Sequence, residues 1–405
     1  MLLCMKWKLA DATPRKIMTD SGFIAALRHH LQWSHLFDPV LADLHPSLGN
    51  LDHVRRIINE LREKIFPQGT GFKGAQLLVC EQKLGSPDEQ YVRYAESHCL
   101  GDGQNFECII CMSRSMSAYL MQAEYVSIDT AFKRLHHKWQ EFEIESWDVQ
   151  TMRFRAFTNS QSAEAHFILF SRIFEIASGD TSVPVQFQHI HGSGFSVWVA
   201  DAHKGQALGL GMFCESLCAE IDKLCEHEPS RTLKSLDPYD HLRRFFRLCL
   251  VHFKRHIHDL KPYTSDEVRA AMLSIASSEI HPDLEGAFRI INNGGKKAQA
   301  WLKDKQKGSK FAIPAIYQPA SFIPHVIWKA SPSSSNGNEQ SHRNVNRDGV
   351  GLTILGGIMR GMQFDARIEA GRELFKTTGI FSRDQLSTHF HRSKRAVNRQ
   401  GKSSW

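Results

Sequence analysis

The sequence predicts a mixed α/β (α+β) fold: a mixed sheet with flanking helices, preceded by a mostly helical region and followed by further helices. Three observations carry this. Three segments of strand length, rich in β-branched and aromatic residues, succeed one another between Tyr125 and Phe157 with short polar connections, the pattern of an antiparallel meander. An amphipathic stretch and a fourth apolar strand follow at once. Most of the remaining chain places apolar residues at helical spacing.

Taken in order, Ile24, Leu27 and Leu31 and then Val54, Ile57, Ile58, Leu61 and Ile65 mark helices, the second capped by Asn50 or Asp52. A break follows at Pro67 to Gly74, then short apolar runs at Ala75 to Val79 and Phe106 to Met112, the latter read as a buried strand. The meander consists of Tyr125 to Asp129, Glu141 to Trp147 and Met152 to Phe157. A helix from about Ser162 to Ser178 presents Phe167, Phe170, Ile173 and Phe174 on or near one face. The fourth strand, Phe195 to Ala200, ends at Asp201. Helices are expected at about Gln206 to His227, Pro238 to Leu260 and Ser265 to Ser278. A lysine-rich stretch, Lys296 to Lys310, and prolines at 314, 319 and 324 come next. A polar Ser/Asn segment leads into a helix holding Glu339, and a basic tail closes the chain. The predicted divisions are 1–120, mostly helical; 121–349, the core, with a helical insertion at about 205–325; and 350–405, helices and tail.

Composition narrows the function. At 405 residues and 42% hydrophobic content the chain can bury one large core or two ordinary ones, which excludes a disordered polymer. A formal charge of +7 biases it toward polyanions, nucleic acid being the commonest. Nine cysteines, odd in number and irregularly spaced, do not form a secreted disulfide framework, so a reducing compartment is expected. The apolar stretch before Lys6 and Lys8 is too short for a signal peptide, and no run of about 18 apolar residues predicts a membrane span.

The chemistry is expected from acids at strand ends. If the first strand of the meander lies beside the fourth, Asp129 and Asp201 fall within a few ångströms of each other. Each alone reads as a turn former or helix cap; together they suit phosphodiester chemistry, in which two Mg²⁺ ions roughly 3.5–4 Å apart serve the attacking and leaving oxygens. Such ions require hard oxygen ligands.

Four motifs then carry a resemblance. Tyr125-Val-Ser-Ile-Asp129-Thr-Ala-Phe resembles the first-aspartate strand of Mutator-like element transposases, and Val197-Trp-Val-Ala-Asp201 their second. Cys249-Leu-Val-His252 is similar to the family's Cys-x-x-His motif, and Ser334-Ser-Asn336-Gly-Asn-Glu339 to its Thr-Thr-Asn-x-x-Glu signature. The chain departs from the pattern in the serine before Asn336 and in His256, where asparagine is common, and it shows no upstream zinc-binding domain. The resemblance covers about residues 125–348 and suggests a fungal-type member. It implies an RNase H-like core with Asp129, Asp201 and Glu339 as catalytic ligands of two Mg²⁺ or Mn²⁺ ions, a homodimer or higher oligomer acting on element ends and target DNA, and a nuclear location. Cys249, His252 and Asn336 would lie near that site. Two alternatives stay open: a catalytically silent descendant that binds DNA, and a cellular RNase H-like nuclease.

Other signals are weighed against plainer readings. Cys108 and Cys111 could join Cys249 and His252 in a zinc site, but an apolar strand uses cysteine as a small hydrophobe, so zinc is not expected. Cys214 and Cys218 read as packing residues, and His189-Ile-His191-Gly as a glycine turn before a strand. Candidate DNA contacts are His203, Lys204, Lys296, Lys297, Lys303, Lys305 and Lys307, with Arg392, Lys394 and Arg395 in the tail, which could instead be a nuclear import signal.

Overall fold

The computed structural model describes residues 6–136, 138–147, 152–334 and 349–380. It divides into two compact units, 1–362 and 363–405. The first is a mixed α/β structure organised on one seven-stranded open sheet. The strands are β1 (Val92–Cys99), β2 (Asn105–Cys111), β3 (Tyr125–Ala131), β4 (Gln140–Trp147), β5 (Met152–Thr158), β6 (Val197–Ala200) and β7 (Phe246–Leu248). Their spatial order is β1-β2-β5-β4-β3-β6-β7. The first five pair antiparallel, whereas β6 lies parallel to β3 and β7 parallel to β6.

The parallel half needs crossovers, and two long helices supply them. Helix α1 (Ala163–Thr181) joins β5 to β6, and α2 (Lys204–Cys218) begins the return from β6 toward β7. Ser162 caps α1 by accepting from the N–H of Ala165, and the helix buries Leu169, Phe170, Ile173 and Phe174 against the sheet. Trp198 of β6 is fully buried and receives Phe170 and Phe174 edge-on, with ring centroids 5.7 and 6.1 Å away. Phe174 also stacks on Phe213 of α2 at 4.9 Å. Rings of this size contribute about 2–3 kcal/mol each when removed from water, so this cluster fixes the level of β6 in the sheet.

The opposite face of β3, β4 and β5 is charged and yet buried. Glu141, Glu143 and Glu145 alternate along β4, and Arg155 of β5 stands across from Glu143. Arg155 donates to Glu141 at 2.8 Å and to Glu143, while Arg134 donates to Glu141 and to the carbonyl of Gly357. This side of the sheet is closed by the chain around Leu352, whose N–H bonds to the carbonyl of Arg134 at 2.8 Å.

Two local readings change. The stretch from Pro238 to Leu260, expected as one helix, contains β7 followed by helix α3 (Leu250–His258). The helix expected to reach His227 ends at Cys218. Around Ala75 to Val79 the chain is helical over Phe72–Lys83, and Val92–Cys99, not singled out in the sequence, adds an edge strand.

Candidate metal centre

Asp129 lies near the end of β3, with its side chain on the charged face: the alternate residues Val126 and Ile128 go to the aromatic core, and Ser127 and Asp129 to the other side. It is 7% exposed, and its Oδ1 accepts the N–H of Thr130 at 2.9 Å. Across β4 its partner is Glu143. On the other side, Tyr125, Val126 and Ser127 pair with Val197, Trp198 and Val199. The pairing ends there; carried two residues further, the same register would bring Asp129 level with Asp201, on the same face.

Asp201 follows β6 directly, and the residues after it turn at once into a helix. His203 caps α2, its Nδ1 accepting from the N–H of Gln206 at 3.1 Å. Its Nε2 therefore carries the proton and donates to Oε1 of Gln161 at 2.9 Å. Burial lowers the His203 pKa, with Asp201 acting against the shift. Both ring nitrogens serve the turn that presents Asp201.

The Cys-x-x-His motif stands at the end of β7. Cys249 is the N-cap residue of α3, and its N–H bonds to the carbonyl of Ala200 at 2.8 Å. His252, in the first turn, brings its Nδ1 against Oδ1 of Asp201. Burial would favour the neutral imidazole, but the bond to Asp201 and, secondarily, the proximity of Cys249 raise its pKa to about 10. One donor atom each from Asp201, Cys249 and His252 lie within 4.8 Å of one another. Beside them, Cys249, His252, His256, Trp301 and Lys305 line a cavity of about 10 Å³.

The lysine-rich stretch reaches the same place. Helix α4 (Lys296–Lys303) ends at Asp304, which bonds Lys204 at 2.6 Å and Lys305 at 3.1 Å. Lys296, Lys297, Lys303 and Lys307 are exposed. The turn after Asp201 and the basic stretch are thus tied by an ion-paired acid. Asn336 and Glu339, like Arg392, Lys394 and Arg395, lie outside the described residues. The chain leaves the described part just after Ser333, whose carbonyl accepts from the N–H of Leu250, and resumes before Leu352, beside Arg134.

Cys108 and Cys111 are on β2, separated from β7 by β5, β4, β3 and β6, so they cannot share an ion with Cys249 and His252. Cys214 and Cys218 are fully buried in α2. The sequence reading missed the acids of β4 beside Asp129 and the cavity joining His256 and Trp301 to the motif. The alternation Glu141-Phe-Glu143-Ile-Glu145 was a legible sign of the first; nothing local signalled the second. Among the described residues no helix is long and apolar enough to cross a membrane. Comparison with known proteins gives no match to any family model, curated protein or solved structure.

Proposed function

We propose that the chain is a DDE-type DNA transposase with an RNase H-like core, hydrolysing a phosphodiester at an element end and joining the freed 3′ hydroxyl to target DNA. The observation that carries this reading is the parallel register of β3 with β6, which, extended by two residues, would bring Asp129 level with Asp201. A meander whose first strand lies beside the fourth is the arrangement an RNase H-like core requires. Glu339 completes the triad in this reading, supported by a chain that leaves the described part beside Leu250 and resumes beside Arg134.

Asp129, Asp201 and Glu339 would hold two Mg²⁺ or Mn²⁺ ions, and carboxylates are the hard donors these cations take. When bound, the ions supply activation of the attacking oxygen and neutralisation of the leaving one. The remaining work falls to the chain itself. Asp129 is fixed by the N–H of Thr130 and by its pairing with Glu143 of β4. His203 holds the turn of Asp201, and His252 holds its carboxylate. Lysines at 296, 297, 303 and 307 provide a basic surface for the DNA backbone, leading toward the site through Lys204 and Asp304. A dimer acting in the nucleus, with two ends brought together, belongs to the same proposal.

The test uses the full-length protein, Mg²⁺, a supercoiled plasmid and a labelled duplex. Metal-dependent nicking together with joining of the labelled 3′ end supports the transposase. Nicking without joining points to a nuclease, and neither activity, with DNA binding retained, to a silent descendant.

A further inference from the structure

We propose that Asp201, Cys249 and His252 form a binding site for one borderline-soft divalent cation of the zinc class. The three donors come from segments that the sheet itself brings together. Asp201 follows β6, Cys249 follows β7, and the bond from the N–H of Cys249 to the carbonyl of Ala200 locks the two strand ends side by side. His252 is one helical turn beyond Cys249 and therefore shares its face of α3. The donor atoms lie within 4.8 Å of one another, and an ion there would replace the direct contact between His252 Nδ1 and Asp201 Oδ1.

The cavity is an independent indication. Its volume of about 10 Å³ is the room one water or one ion needs, and Cys249 and His252 are in its wall. His256, a further turn along α3, lines the same cavity and is a candidate for the fourth position, which is otherwise left to water. A divalent cation would displace the proton that His252 holds against Asp201, and the carboxylate, the thiolate and the neutral imidazole would then balance its two charges, with the Lys305 ammonium in the cavity wall acting against it. Sulfur and imidazole nitrogen select zinc over Mg²⁺, which takes oxygen ligands. This site does not rest on the transposase reading, although Asp201 serves both: a carboxylate has two oxygens, one for each centre.

The full-length protein, stripped with chelator and titrated with Co²⁺ alone, is expected to develop tetrahedral cobalt bands and a sulfur-to-cobalt charge-transfer band. Zinc should displace them and Mg²⁺ should not. Cys249→Ser should remove the charge-transfer band, Cys218→Ser should leave it, and His252→Gln should weaken cobalt binding by roughly tenfold or more. An unmodified chain without the sulfur band, or a band undiminished in folded Cys249→Ser, overturns the site. Where Cys249→Ser does not fold, His252→Gln decides: unchanged cobalt affinity overturns it. The cobalt titrations contain no DNA, so failure here leaves the strand-cleavage proposal standing, and absence of cleavage leaves the cobalt result untouched.

Discussion

His252 and Asp201 meet between the ends of two parallel strands, imidazole Nδ1 against carboxylate Oδ1. The pairing joins two sequence motifs that are remote along the chain, and it gives the second acid of the candidate site a fixed direction. Asp129 is oriented differently, from within its own strand, where its Oδ1 accepts the N–H of Thr130. The two acids should therefore respond differently to substitution.

Asp129→Asn keeps the shape and removes the charge. Metal-dependent nicking should fall by on the order of 10³-fold or more, the loss expected when several kcal/mol of charge stabilisation disappear. Far-UV circular dichroism should be unchanged. Nicking at the original rate would exclude Asp129 from the chemistry.

Gly209 sets how closely α2 approaches α1. A Cβ there would stand 2.5 Å from Cβ of His166 and 2.6 Å from the carbonyl oxygen of Ala163. Gly209→Val should destabilise the protein by about 1–3 kcal/mol through overpacking. Denaturant unfolding reads this directly, and the same variant should lose nicking activity because α2 begins three residues after Asp201.

The basic stretch makes a prediction about salt. Exchanging Lys296, Lys297, Lys303 and Lys307 for alanine should weaken DNA binding and flatten the plot of log affinity against log salt by about 0.9 for every phosphate that is no longer neutralised. Titrations at several ionic strengths measure the slope. An unchanged slope would remove this surface from the interface.

Asp180 supplies the pH dependence. Burial raises its pKa, but bonds from Arg93 at 2.7 and 2.8 Å and from Ser117 at 2.6 Å outweigh that and hold the carboxyl below its ordinary 3.8. A group depressed on folding stabilises fully above its unfolded value and loses that contribution as pH falls through the folded one. Asp180→Asn should thus cost about 3 kcal/mol at neutral pH, and the difference from the unmodified chain should shrink below about pH 3.8. Unfolding curves recorded from pH 7 to pH 2 test it; a difference independent of pH would refute the assignment.

The meander and the fourth strand were legible because their residues are β-branched, aromatic and set off by polar turns. That β3 neighbours β6 was open to inference from the order of elements, and the level of Asp129 with Asp201 would follow from extending that register. β7 was not legible. It is three residues long, and Phe246, Arg247 and Leu248 sit in a stretch whose apolar spacing also suits a helix; only pairing with β6 makes them a strand. The burial of Glu141, Glu143 and Arg155 was equally hidden, since a charged alternation ordinarily faces water and becomes a core only when partners arrive from remote segments.

The four residues of β6 carry a requirement of phase. Removing one of them would rotate Asp201 to the side occupied by Trp198 and separate it from both Asp129 and His252. The excursions before β6 and after α2 carry no such requirement, because they leave and rejoin the sheet without setting its alternation. Length variation among descendants of this gene should accordingly accumulate in those excursions, while odd-numbered gaps are purged from the short strand between them.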